Sequence, residues 1–402
     1  MFPIRSSWRY MLILFGVCNL VNSSQVVLQD AQKDVSQAPY RADNPRIYPL
    51  PECERCPSEK EIRAPGVGFA VETSYGAAVV RLQDGSLQQI ALIEGDASYT
   101  ALFRRLATGP MFPDPYYFDC KRDVWDYFMR QAQRYLNKLI GRPANPETAI
   151  LAAMVSALQH ETQTWHSAQK EEINDVFDHL KLKNFLAQSI YRKELYATSA
   201  ASAGYETAMC NNFTDVYKCE NEELELPARR VLHIDFNQES LSRTIITLSS
   251  VWDGSIDYRF VDTDLGYAHH GDLLDTAPER DSEQYWTSIS ARIRKLAMSS
   301  RHAIEKLMLT GTSASDPRFE AAIREALHDI LAQEVIADLV GDADTADDET
   351  EWRVKFTFAT AQGAARVAKR VQEIPFMCRQ TDECRKRHER AQDEIRDRVA
   401  SG

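Results

Sequence analysis

Apolar and polar positions alternate in short runs in two separate parts of this chain, and each part is followed by segments of helical period. The first, "GVGFAVETSYGAAVVRLQDGSLQQIALIEG" from Gly66, has β-rich runs parted by turn signals at Ser74-Tyr75-Gly76 and Asp84-Gly85-Ser86, which predicts two or three antiparallel strands. "RDVWDYFMRQAQRYLNKLIG" then places Val124, Tyr127, Phe128, Ala132, Tyr135, Leu136 and Leu139 on one helical face and ends at Gly141 as a cap. "NPETAILAAMVSALQHETQTW" opens with Asn145 as N-cap and Pro146 at the first helical position. Both are read as core helices. At Arg230 the strand signal returns, and "RVLHIDFNQESLSRTIITLSSVWDGSIDYRFVDTDLG" gives strand, turn, strand, Asp-Gly turn, strand. A helix from about Ser282 to Lys306, a buried strand "KLMLTG", a helix "DPRFEAAIREALHDILAQEV", the acidic loop "GDADTADDETE" and a last helix after "FTFATAQGAARVAKR" follow. Hairpins and then helices occur twice, which is the pattern of an internally duplicated α/β fold.

The ends of the chain set its compartment. Arg5 and Arg9 precede the apolar run Met11 to Val21, and "NSS" supplies small residues for cleavage after Ser23, so residues 1–23 read as a signal peptide. That run falls short of the roughly 20 apolar residues of a membrane span. With no KDEL-type signal in "RVASG", secretion is favoured over the lumen of the endoplasmic reticulum, which is the alternative. Cleavage removes two arginines and takes the formal charge from −12 to −14. So acidic a chain is a poor match for nucleic acid or an anionic membrane, and an unidentified protein is the expected partner.

Cysteines agree with an oxidising compartment. Without Cys18, seven remain, and Cys210 with Cys219 and Cys378 with Cys384 form sequence-local pairs that predict two disulfides. Cys53 or Cys56 would bridge to Cys120, leaving one thiol over. The sequon "NFT" at Asn212 lies inside the first of these loops and predicts a glycan facing solvent. His269-His270-Gly271-Asp272 looks like a metal cluster, but adjacent histidines on a strand point to opposite faces, so a surface loop is the plainer reading.

Four matches in the right order carry a resemblance. "GFAVETSYG" lies along a G-I-D-L-G-T-T-Y-S hairpin through Gly68, Thr73, Ser74 and Tyr75, with Ala70 and Glu72 at the aspartate and loop-glycine positions. "IDFNQESLS" lies along F-D-L-G-G-G-T-F-D, keeping Asp235 and putting Ser240 for threonine, while Asn237, Gln238 and Glu239 replace three glycines. "LTGTSASDP" keeps Gly311, Ser313 and Pro317 of L-V-G-G-S-x-R-x-P, and "ATAQGAARVA" keeps Ala361, Gly363, Ala364 and Ala365 of a helix start. "TSAASAGY" is similar to a first-lobe helix ending in A-G-L. Over Gly66 to Val371 the chain resembles the actin-like ATPase superfamily, most closely the nucleotide-binding domain of the 70-kilodalton heat-shock chaperones. No strand and T-V-P element before "TSAASAGY" can be recognised.

That resemblance implies an actin-like ATPase (ribonuclease-H-like) α/β fold with two lobes about a central cleft. Residues 24–64 become an extended cysteine-bearing arm, 65–228 lobe I, 229–372 lobe II and 373–402 a charged, solvated helical tail. It also implies ATP or ADP with Mg²⁺, held by Thr73, Ser74, Tyr75, Asp235, Ser240, Gly311, Ser313 and Gly363. Glycine serves in such cradles because backbone N–H groups can then approach phosphate oxygens. Side chains at 72 and 237–239 fill that space. A carboxylate about 4 Å from a phosphate charge repels it by roughly 4 kcal/mol at an effective dielectric near 20. Loss of hydrolysis, leaving a binding or interaction scaffold, is therefore the first expectation. The alternative is a slowly hydrolysing ATPase in which Glu72, Asp235 and Glu239 converge on Mg²⁺ or Ca²⁺.

Overall fold

The computed structural model describes residues 52–53, 56–108, 122–161, 197–210, 219, 222–223, 225–269, 280–337, 346–373 and 380–401. Residues 1–51, where the signal peptide and most of the arm are expected, lie outside them, as do Cys120, Asn212, His270 to Asp272 and Cys378. The chain divides into two compact units, the first of Met1–Pro51 with Phe112–Ala132 and the second of the remainder. Of the first, only residues 122–132 are described, and they form the leading part of a helix.

The second unit holds two sheets, each built on the predicted antiparallel run. β1 (Gly66–Val71), β2 (Tyr75–Arg81) and β3 (Leu87–Glu94) make one in the order β1-β2-β3. β4 (Arg229–Phe236), β5 (Leu241–Ser250) and β6 (Asp253–Asp262) make the other, and β7 (Lys306–Thr310) joins β4 in parallel, giving β6-β5-β4-β7. The Asp84-Gly85-Ser86 turn forms as its residues require: Gly85 sits at φ +87° and the Asp84 carboxylate accepts from the Ser86 N–H at 2.8 Å. The two-sheet α/β architecture expected of the sequence is present.

Alternation along β4 decides what each face meets. Leu232, Ile234 and Phe236 point into the largest core, with Ile245, Ile289, Ile293, Leu309, Phe319 and Ile323. That core is closed by α6 (Arg280–Ser299) and α7 (Pro317–Leu327), whose N-cap Asp316 accepts from the N–H groups of Arg318 and Phe319. The other face carries Val231, His233 and Asp235, and Val231 packs with Ile246, Leu248, Met308 and Ala201 of α5 (Ala197–Gly204). In the first sheet, Phe69, Val71 and Ala78 pack on α2 (Ala97–Thr108) and α4 (Pro146–Glu161) through Tyr99, Leu151, Val155 and Leu158. Asn145 caps α4 as expected, accepting from the Thr148 N–H at 2.6 Å.

One helix serves both sheets. α9 (Ala346–Glu373) begins earlier than the sequence suggests: Asp347, Asp348, Glu349 and Glu351 lie in its first turns, where negative charge suits the helix N-terminus, instead of forming a loop. Gly363 is therefore mid-helix. Ala361 and Ala365 pack on Ala70, Ala77 and Val79 of the first sheet. A Cβ at Gly363 would stand 1.6 Å from the Ala200 carbonyl oxygen, and one at Gly204 2.0 Å from that of Ala359, so α9 and α5 touch backbone to backbone.

Two further expectations are corrected. α3 (Arg122–Leu139) forms, but its apolar face is exposed: Trp125, Phe128, Met129, Tyr135, Leu136 and Leu139 all face outward, while Arg134 is buried. Cys210 and Cys219 pair as expected, but Cys384 pairs with Cys56, 328 residues away, with the Cα atoms 5.1 Å apart. The reason is the docking of the chain's two described ends. α1 (Glu59–Arg63) and α10 (Asp382–Ser401) are joined by the Arg63–Glu394 ion pair, and Lys369 of α9 donates to the carbonyls of Ile62 and Ala64 at 2.6 and 2.8 Å. Cys384, His388 and Ala391 form a buried stripe along α10, so only part of the tail is solvated. Among the described residues no helix is long and apolar enough to cross a membrane.

Candidate functional site

The β1-β2 and β4-β5 turns, the two places where the resemblance sets phosphate loops, touch each other. Thr73 at the tip of the first turn donates its hydroxyl to Asn237 Oδ1 at 2.9 Å and lies 2.9 Å from Ser240 Oγ. With its one proton given to Asn237, Thr73 accepts from Ser240. The same Asn237 oxygen accepts the backbone N–H groups of Glu239 at 3.0 Å and Ser240 at 3.2 Å. Backbone N–H groups of such a turn are the ones an anion would use. Here a side-chain amide oxygen of the turn's own first residue takes them. The carbonyls of Asn237 and Gln238 are also engaged, by the N–H groups of Tyr267 and Ala268.

Behind Asn237 lies a chain of buried polar groups. Asn237 Nδ2 donates to Asp235 Oδ2 at 2.7 Å, and Thr310 Oγ1 donates to Asp235 Oδ1 at 3.0 Å. Because Thr310 spends its proton there, His233 Nε2, 2.8 Å away, must donate to Thr310, and His233 Nδ1 must accept from Thr198 at 2.9 Å. Asp235 thus fixes the tautomer of His233. Burial, with Arg259 nearby, lowers the imidazole to about 4, so it stays neutral. His233, Thr198 and Thr310 were missed from sequence, although the period-two register of "LHIDF" already sets His233 and Asp235 on one face.

Glu72 completes the cluster from the first turn. Its backbone carbonyl accepts from Tyr99 Oη at 2.7 Å. Burial, and next the Asp235 charge, push its carboxyl up to about 8, against a hydrogen bond with Thr360 and the pull of Arg259. Burial likewise raises Asp235 to about 6, opposed by its bonds to Thr310 and Asn237 and by Arg259. At neutral pH Glu72 holds a proton, Asp235 is ionised, and the pair carries one negative charge.

The other sequence-predicted residues divide. Ser74 and Tyr75 are buried, and Tyr75 Oη donates to the Thr357 carbonyl of α9 at 3.3 Å. Ser313 joins the second turn, accepting from Gln238 Nε2 at 3.2 Å and donating its N–H to the Phe236 carbonyl. Gly311, at φ +109°, passes so close to β4 that a Cβ would be 2.1 Å from the Phe236 carbonyl oxygen. Gly363 lies in the α9–α5 contact, and Ala70 packs under α9 where the family has its aspartate. Glu239 does not join Glu72 and Asp235: its carboxylate is held by Arg104 of α2 at 2.6 Å. Among the described residues the only three ligating side chains within 4.8 Å of one another are Cys210, Cys219 and Glu223, and two of those are a disulfide.

No family model matches the sequence. No curated protein matches it either. Among solved structures it is similar to the ethanolamine utilization protein EutJ from Carboxydothermus hydrogenoformans, at 10% identity and a TM-score of 0.37 over 75% of this chain and 89% of that one. So loose a likeness bears no weight below.

Proposed function

We propose that this chain is a secreted pseudo-ATPase: an actin-like duplicated scaffold, resembling a chaperone nucleotide-binding domain, whose phosphate cleft is closed by its own side chains and whose work is protein binding. The observation that carries the reading is Asn237 Oδ1, which accepts from Thr73 and from the N–H groups of Glu239 and Ser240. A phosphate would have to displace all three bonds and leave that amide without donors, a cost of about 1–3 kcal/mol for each buried group left unpaired. It would also meet the charge of Asp235. The duplicated order of hairpins and helices supports the scaffold, and the disulfides suit an oxidising compartment.

The thermal midpoint of the mature protein tests this, measured with millimolar MgATP, MgADP, Mg²⁺ alone and Ca²⁺ alone. A ligand at about 100 times its dissociation constant adds about 2.7 kcal/mol, several degrees for a domain of ordinary size. The expected result is no shift with either nucleotide. A magnesium-dependent shift with ATP would overturn the reading in favour of a working nucleotide site, and a shift with the cation alone would assign Glu72 and Asp235 to a metal.

A further inference from the structure

α10 starts at a covalent anchor and continues through a buried histidine. Cys384, bridged to Cys56, stands one helical turn before His388, and both lie on the buried stripe of the helix. That stripe meets α1 and the last turn of α9, all within the second compact unit. His388 is 4% exposed, yet neither of its ring nitrogens has a hydrogen-bond partner among the described residues. Buried polar atoms are rarely left so. Glu373, the final residue of α9, places Oε2 3.9 Å from His388 Nε2, beyond hydrogen-bond reach. Its other oxygen lies 2.9 Å from Lys369 Nζ, and Lys369 spends its remaining N–H groups on the carbonyls of Ile62 and Ala64.

We infer that α10 is an acid-released strap: with His388 neutral it lies docked, and protonation of His388 lifts it off α1 and α9 while the Cys56–Cys384 bridge keeps its first turn attached. The charges around His388 decide the direction. Among the described residues Glu373 is the carboxylate that reaches it, and Lys369 and Arg81 of β2 already draw on that carboxylate. Elsewhere on α9, Arg366 is paired with Glu206 and Arg370 with Glu223. Arg63 of α1 is turned to Glu59 and to Glu394, further along α10. A proton on docked His388 thus adds a positive charge to a buried site whose one carboxylate is committed. Burial lowers the imidazole below its ordinary 6.5, Glu373 opposes that, and Lys369 adds to it. The lifted helix therefore binds a proton that the docked one refuses, and its opening constant rises as pH falls through 6.5. Between about pH 7.5 and about pH 5 the ceiling of that rise is about 30-fold. The opposite device, a His388–Glu373 ion pair that tightens in acid, would ask one carboxylate to serve two buried cations.

Hydrogen exchange of the full mature chain, disulfides intact, tests this when read by mass spectrometry at about pH 7.5 and about pH 5 and corrected for the intrinsic rate at each. Protection of the α10 segment from His388 onward is expected to fall at the lower pH, by up to about 30-fold, while α7 stays as protected as before. His388→Leu keeps an apolar side chain in the buried place and has no proton to gain. In that variant α10 should stay docked at both pH values. Should the variant fail to fold, the wild-type imidazole decides: followed by NMR in the folded protein, His388 is expected to titrate below 6.5. Greater protection of α10 in acid, an equal loss in the wild type and His388→Leu, or a folded imidazole titrating at or above 6.5 overturns the proposal. So does a loss in α7 equal to that in α10, which would assign the effect to unfolding of the whole unit.

Discussion

Glu72 is a half-buried carboxyl whose charged form the fold disfavours. It puts a carboxyl where the resemblance expects a loop glycine, near enough to feel the Asp235 charge, and the fold tolerates it because Glu72 keeps its proton while Asp235 is ionised. That arrangement has a thermodynamic consequence. A carboxyl raised from 4.5 to about 8 on folding stabilises the protein below its unfolded value, and that stabilisation is lost as pH rises through about 8. Asp235 behaves in the same way up to about 6, whereas His233, lowered to about 4, contributes stability that is lost as pH falls from 6.5. Between pH 6.5 and 8 the Glu72 carboxyl acts alone among these three. The wild-type thermal midpoint should therefore fall across that window and that of Glu72→Gln should not, a comparison that differential scanning calorimetry makes directly. Parallel slopes for the two proteins would mean that Glu72 is charged in the fold and that the proton sits elsewhere.

At the scale of elements, the hairpins were legible because turn chemistry is local. Asp84-Gly85-Ser86 and Asp253-Gly254 carry their conformations in their own residues, and the strands between them follow by alternation. The helices were legible in kind and less so in extent or orientation. α3 has the strongest apolar stripe among the described helices and exposes it, since periodicity says that a face exists without saying what covers it. α9 shows the converse: Gly363 in a helix interior costs about 1 kcal/mol relative to alanine, which argues for a helix start, and only the position of α5 explains why it is kept. Gly363→Ala therefore separates propensity from packing. Propensity alone predicts a gain of up to about 1 kcal/mol. A methyl placed 1.6 Å from the Ala200 oxygen instead has to move backbone, so the expected outcome is a loss beyond about 3 kcal/mol, read from urea unfolding, or failure to fold. The same reasoning separates what was legible in the candidate site. Thr73, Asp235 and Ser240 were found by their places in the hairpins, but the acceptor role of Asn237, the Arg104–Glu239 pair and the Thr198–His233–Thr310 chain depend on elements from distant parts of the sequence meeting, and no local signal announces them.

Over the whole molecule, the link between the chain's two described ends is the feature that sequence spacing most misjudged. A pair six residues apart, Cys378 and Cys384, invites a short loop, yet Cys384 closes a loop of 328 residues with Cys56. Noncovalent contacts prepare that closure: Lys369 is almost fully buried, donates to two carbonyls of the entering chain and lies 2.9 Å from Glu373, while Arg63 and Glu394 pair across α1 and α10. Because these contacts already hold the ends together, loss of the disulfide should act chiefly on the unfolded state. In the chain-entropy account so long a loop is worth about 6 kcal/mol, against about 3 kcal/mol for short loops of roughly 15 residues. Cys56→Ser with Cys384→Ser should accordingly lower the thermal midpoint by many degrees while leaving the near-ultraviolet circular dichroism of the folded protein unchanged. Cys210→Ser with Cys219→Ser, which opens a loop of only nine residues' separation, should cost clearly less. If the order of the two losses were reversed, the two ends would already lie near one another in the unfolded chain, leaving the long bridge little entropy to remove.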